Sequence, residues 1–173
     1  MFENSKKFDT TQLAVFLNSF TSYKMLSKEK IHAHFLAIAN NSIARIEAAL
    51  ADLKESGTNE TKSTAGDKHE TALAMLQIEQ ANFRVQLKDA QEKKAMLLKL
   101  NPSFSTKEIR IGSVVITNKN IVYISTALGK QVINDCEIVA ISPQSPLATK
   151  LLGLNIEETV FVNGNKFVVQ NIL

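Results

Sequence analysis

Two carboxylates one helical turn apart stand out by position: Asp67 and Glu70, in Gly66-Asp67-Lys68-His69-Glu70-Thr71-Ala72. Such a pair can supply oxygens to Mg²⁺, a hard cation that keeps several waters and usually takes only one or two protein carboxylates. In two-metal phosphoryl chemistry a second ion activates the attacking water and stabilises charge on the phosphate. Two acids do not make such a site alone; they would complete one that already exists inside a partner. The same pair also has a plain structural role. An aspartate at the N-cap with a glutamate three residues later is a capping-box arrangement, and acids in the first turn favour the helix dipole. The two roles are compatible, since a capping Asp67 fixes the backbone while leaving carboxylate oxygens near water.

Little else in the chain has the spacing of a reaction centre. There is no Ser-His-Asp set with a nucleophile elbow, no phosphate loop and no Gly-x-Gly-x-x-Gly. His32 and His34 are two residues apart, which sends them to different sides of a helix and suits surface or interface positions. Cys136 is the single cysteine, so neither an internal disulfide nor a four-cysteine zinc site can be built.

The elements that must position Asp67 and Glu70 follow from periodicity. From Ser27 to Ser56 the residues Ile31, Phe35, Ile38, Ser42, Ile46, Ala49 and Leu53 recur at alternating steps of three and four, predicting one helix with one stripe. Ser27 suits its N-cap and Gly57 its stop. The polar stretch from Gly57 to Lys68 reads as a turn or loop. From His69 to Leu100 the stripe is Leu73, Leu76, Gln80, Phe83, Leu87, Ala90, Lys94 and Leu97, and Asn101-Pro102 ends it. Two amphipathic runs joined by a short polar loop predict an antiparallel hairpin in which each stripe buries the other, an arm on the order of 40 Å long. A bundle with further helices is the competing arrangement, but no other long helical run exists to pack on.

After Pro102 the runs become short and β-branched: Ile109–Ile116, Ile121–Ile124, Glu137–Ile141, Thr159–Val162 and Lys166–Ile172. Asn163-Gly164 signals a tight hairpin. Ser145, Pro146 and Gly153 mark the cap, first turn and end of one short helix. The expected fold class is therefore α+β: an N-terminal antiparallel coiled-coil hairpin over 27–101, with an acidic tip at about 57–70, then a small antiparallel β domain with one short helix over 105–173. Residues 1–26 form an unassigned extension, in which Gln12 to Phe20 could make a short helix.

The tip segment resembles the Gly-Asp-x-x-Glu-Asn-Ala tip of the bacterial Gre transcript cleavage factors, and Glu79, Gln80 and Phe83 fall where that family also tends to carry Glu, Gln and Phe. Ile141-Ser142-Pro143-Gln144-Ser145-Pro146-Leu147-Ala148, followed by Leu151-Leu152-Gly153, is similar to the family's Ile-Ser…Ser-Pro-hydrophobic-Ala…Leu-Ile-Gly segment. The resemblance covers roughly residues 30–173 and implies an FKBP-like fold for the β domain, with docking at the secondary channel of RNA polymerase. It implies that Asp67 and Glu70 reach the polymerase active site, help hold a shared Mg²⁺ and stimulate hydrolysis of the 3′ end of backtracked RNA, the polymerase being the enzyme. It also implies Ser145, Pro146 and Leu147 as partner-binding residues. Several positions depart from the family: Thr71 replaces its Asn, Leu73-Ala74 its acidic-aromatic pair, Leu154 its lysine, and Glu157-Glu158-Thr159 its Gly-Asp.

Composition narrows the field. The net charge is +3, with 14 basic and 12 acidic residues up to position 104 and 6 and 5 after it, so general electrostatic binding to naked nucleic acid is not favoured. The polar start and the short apolar run Leu13–Leu17 predict neither a signal peptide nor a membrane span, and hence a cytoplasmic location; the oligomeric state stays open, a monomer being favoured. Two readings besides cleavage follow from the same residues. One is a channel regulator that does not cleave; the other is a coiled-coil adapter gripping a partner through outer-face residues such as Met75 and Ile78. A prolyl isomerase is disfavoured, because the β domain has only Phe104, Tyr123, Phe161 and Phe167 to line a pocket.

Overall fold

In a computed structural model the described residues are 27–60 and 67–173, with side chains described over 27–56 and 70–173. The extension 1–26, the centre of the tip loop and the Asp67 side chain lie outside them. Helix α1 spans Lys28–Glu60 and helix α2 spans Asp67–Leu98, 33 and 32 residues, so each arm is on the order of 50 Å long. Ser27 caps α1 as expected: its Oγ accepts from the Lys30 amide at 3.3 Å and its hydroxyl donates to Glu29 at 2.6 Å. The expected stop at Gly57 is not where α1 ends. The helix continues to Glu60, because an isolated glycine costs a helix only ~1 kcal/mol relative to alanine.

Both stripes face inward. None of Ile31, Phe35, Ile38, Ser42, Ile46, Ala49 and Leu53 on α1 is exposed, nor any of Leu73, Leu76, Gln80, Phe83, Leu87, Ala90, Lys94 and Leu97 on α2. The residues between them are mostly wet. The two helices therefore close on each other along their length, as period-3.5 patterning requires.

The C-terminal part holds six strands: β1 Val114–Thr117, β2 Ile121–Ile124, β3 Gly129–Ile133, β4 Cys136–Ile141, β5 Thr159–Val162 and β6 Asn165–Ile172. They form one sheet in the order β3-β4-β2-β1-β6-β5. Neighbours are antiparallel except β2 and β4, which run parallel in the register Ile121↔Ile138 to Ile124↔Ile141. Strand β3 went unseen in the sequence, being an edge strand with one apolar face position, Ile133, buried. It is joined to β4 by Asn134-Asp135, both at positive φ (49° and 60°), the geometry of a two-residue hairpin turn. The first strand is shorter than its apolar run. Ile109 is buried but bonds through its backbone to Gly153 and Leu154, and Gly112 at φ +92° turns the chain before Val114. Helix α3, Pro146–Leu151, is capped by Ser145, whose side chain accepts from the Ala148 amide at 3.2 Å. Gly153 follows it at φ +85°.

Both faces of the central strands are covered, which is why they read as continuous apolar runs. On one face Val114, Ile116, Ile121, Tyr123, Ile138 and Ala140 form a single cluster with Ile31, Phe35, Ala39 and Leu97 from the base of the hairpin. On the other, Val115, Val122, Ile124, Val169 and Ile172 pack with Ala148 and Leu151 of α3. The period-2 alternation of β1 and β2 thus sends one set of side chains to the hairpin and the next to the short helix.

Phe35 is fully buried in the cluster shared by hairpin and sheet. Phe35→Ala is expected to cost ~3–5 kcal/mol in urea denaturation, while Met75→Ala, on the outer face of α2, stays within about 0.5 kcal/mol. A loss below ~1 kcal/mol at Phe35 would show that the hairpin base does not share the sheet's core.

Candidate functional site

The far end of the rod is where α1 finishes at Glu60 and α2 begins at Asp67. Asp67 opens α2 and Glu70 lies three residues on, so both belong to its first turn, on neighbouring positions of one side. Their charge is favourable against the positive end of the helix dipole. The Glu70 side chain is exposed, and so is that of Glu55 in the last described turns of α1. Among the described residues no group of three or more His, Cys, Asp or Glu side chains could hold a metal ion. The chemistry open to the tip is therefore that of a partial ligand set: the exposed Glu70 carboxylate, with Asp67 three residues before it and Glu55 near the end of α1.

The other residues singled out from the sequence do not join this site. Ser145 is committed to capping α3, Leu147 packs against the second core cluster, and Pro146 is exposed beside them. They sit on the sheet face opposite the hairpin. Met75 and Ile78, the outer-face residues considered for an adapter, are 66% and 63% exposed.

What positions the tip is its root, which no local sequence pattern marks. His32 is only 9% exposed and its Nδ1 lies 2.8 Å from the Tyr123 hydroxyl, a buried bond between α1 and β2 across 91 positions of sequence. Phe35 stacks at a tilt against the Tyr123 ring, with centroids 5.7 Å apart. Burial, and then the charge of Lys28, holds the His32 imidazole below its usual 6.5. Burial raises the Tyr123 hydroxyl, so the bond is kept between two neutral groups. Lys28 itself is lowered by burial, partly offset by Glu29, and its Nζ donates to the Phe104 carbonyl at 2.7 Å. The pair ties α1 to β2 at the base of the rod.

No helix among the described residues is long and apolar enough to cross a membrane. No family model matches the chain, and no curated protein matches it. Among solved structures, that of the transcription factor Gfh1 is similar at 18% identity, with 79% of this chain and 92% of that chain covered and a TM-score of 0.34. A likeness that low decides neither fold nor function.

The lowered His32 fixes the sign of one pH effect. A group that binds protons more weakly folded than unfolded gives stability that is present above the unfolded value and lost as pH falls. Melting temperature is expected to fall as pH drops from about 7 to 5 through the usual 6.5 of an unfolded histidine. Below the folded value this contribution stays flat. His32→Gln should flatten that slope, and an equal slope in wild type and variant would remove His32 from the account. Tyr123→Phe should cost about 1 kcal/mol at pH 7, read by the same melts.

Proposed function

We propose that this chain is a Gre-like transcription factor that extends its acidic hairpin tip into the secondary channel of RNA polymerase and stimulates cleavage of backtracked RNA there. The observation that carries the reading is positional: Asp67 and Glu70 open the helix at the far end of a rod on the order of 50 Å long. The Glu70 side chain there is exposed. It suits a centre that another molecule supplies. The tip segment Gly66 to Ala72 and the Ser145-Pro146-Leu147-Ala148 segment support the same reading by their resemblance to the Gre factors.

In this proposal the carboxylates of Asp67 and Glu70 hold Mg²⁺ together with acids of the polymerase. When bound, the ion supplies activation of the attacking water and charge stabilisation at the scissile phosphate. This chain contributes reach, orientation and negative charge. The coiled coil sets the distance, the first turn of α2 fixes the spacing of the two acids, and the His32–Tyr123 root sets the angle of approach. The sheet domain, with Ser145, Pro146 and Leu147 on its outer helix, docks at the channel rim. The polymerase remains the enzyme.

The purified protein, added with Mg²⁺ to backtracked elongation complexes, is expected to shorten the labelled RNA. Asp67→Asn/Glu70→Gln should lower that rate by about 10- to 100-fold or more, with helix content and melting unchanged. Binding without cleavage would convert the reading to a non-cleaving channel regulator, for which the Thr71 and Leu73-Ala74 departures beside the acids give a physical basis. Absence of polymerase binding would sink both and leave an adapter that uses the exposed Met75 and Ile78 face.

A further inference from the structure

We infer that the outer face of α2 pairs weakly with the same face of a second copy of this chain, parallel and in register, through Met75, Ile78, Asn82 and Val85. These residues recur at steps of three, four and three along one described helix, so they form one stripe. All four are exposed, Met75 at 66%, Ile78 at 63% and Val85 at 70%. At about 100° per residue the stripe lies opposite Leu76, Gln80, Phe83 and Leu87, which close on α1. Helix α2 therefore carries an apolar stripe on each of two opposite sides, and α1 covers only one. Helix α1 has no such second stripe: among the described residues, none of its Val, Leu, Ile, Met or Phe side chains is exposed. A helix that is apolar on two sides is suited to lie between two neighbours.

The second neighbour follows from the polar members of the stripe. In heptad terms Met75, Asn82 and Asp89 hold a positions, and Ile78 and Val85 hold d positions. An amide both donates and accepts, so Asn82 is complementary to another Asn82. The two meet when the helices run parallel and in register, where one such residue specifies register and a two-stranded state. The flanking charges agree. Parallel pairing sets Ala74 against Glu79 of the second copy and Ala81 against its Gln86, with no like charges across the apolar layers. The antiparallel register that matches the same residues, Met75 with Val85 and Ile78 with Asn82, sets Glu79 beside Glu79 and leaves each Asn82 amide against an isoleucine. Asp89 ends the interface. In parallel register that carboxylate would face its own copy, so the two rods part from there toward their sheet domains. Four layers fall short of the interface of a permanent dimer, so the pairing depends on concentration, with a dissociation constant on the order of 100 µM.

The experiment is sedimentation equilibrium on the full chain at about 0.3 M salt, which screens the two acidic tips from each other. The weight-average mass is expected to rise from one chain toward two between about 10 µM and about 1 mM. Ile78→Glu/Val85→Glu, at exposed positions, should hold it at one chain with helix content unchanged. Phe104→Ser, exposed but off the stripe, should leave the rise intact. Met75→Cys should form a disulfide-linked dimer under mild oxidation, because parallel pairing sets the two substituted positions side by side. The native chain, whose one cysteine is the buried Cys136, should not. In the antiparallel pair those positions would stand about 15 Å apart, beyond the reach of a disulfide. A native chain that stays monomeric to about 1 mM would overturn the inference. So would a rise in mass that survives Ile78→Glu/Val85→Glu, and a Met75→Cys chain that dimerises without cross-linking.

Discussion

A long two-helix arm can place a side chain accurately only if its root does not pivot. Here the root is a shared core. Ile31, Phe35 and Leu97, all fully buried, enter the same cluster as Val114, Ile116 and Tyr123 of the sheet. At about 25 cal/mol per Å² of apolar surface removed from water, side chains of that size contribute roughly 1.5–3 kcal/mol each. A two-stranded coiled coil joined to a sheet by linker alone would swing. Joined through its own core residues, it transmits the orientation of the sheet to its far end. Everything proposed for the tip depends on this junction.

The distribution of burial along the rod follows from the same constraint. Near the root the stripe residues are fully buried, because the sheet adds a third surface to the two helices. Toward the tip they are only half-buried, from Ile46 and Leu53 on α1 to Leu76 and Leu73 on α2. Two helices alone have no third surface to offer. Local stability therefore declines from root to tip. A site that must adapt to a partner's groups is well served by such a gradient. A site that had to bind its metal unaided would not be.

Much of this was legible in the sequence, and the reasons are specific. Both helix stripes are visible residue by residue, because period-3.5 patterning survives in each of their fifteen positions, even where Ser42, Gln80 and Lys94 interrupt the apolar set. The Asn163-Gly164 turn and the Ser145-Pro146…Gly153 frame of α3 carry local dihedral demands that few other residues meet. Edge strand β3 escaped notice because half of its side chains face water, so Gly129-Lys130-Gln131-Val132-Ile133 has no apolar run to see. The parallel β2–β4 pairing and the His32–Tyr123 bond were invisible for a different reason. Both join positions far apart in the chain, and no local pattern encodes which apolar or polar residue will meet which.

The acid pair shows why position had to supplement spacing. Asp67 and Glu70 satisfy a helix-start rule as well as any pair in the chain, and nothing in their spacing separates a cap from a ligand. What the fold adds is position. A cap is needed at every helix start, yet α1 is capped by Ser27, with Glu29 held below its usual range mainly by the Ser27 hydroxyl. At that root the acid two residues into the turn is engaged by its own chain. At the tip Asp67 and Glu70 open α2, and the Glu70 side chain is exposed. The same first-turn chemistry serves folding at the root, and in the proposed function it meets a partner at the tip.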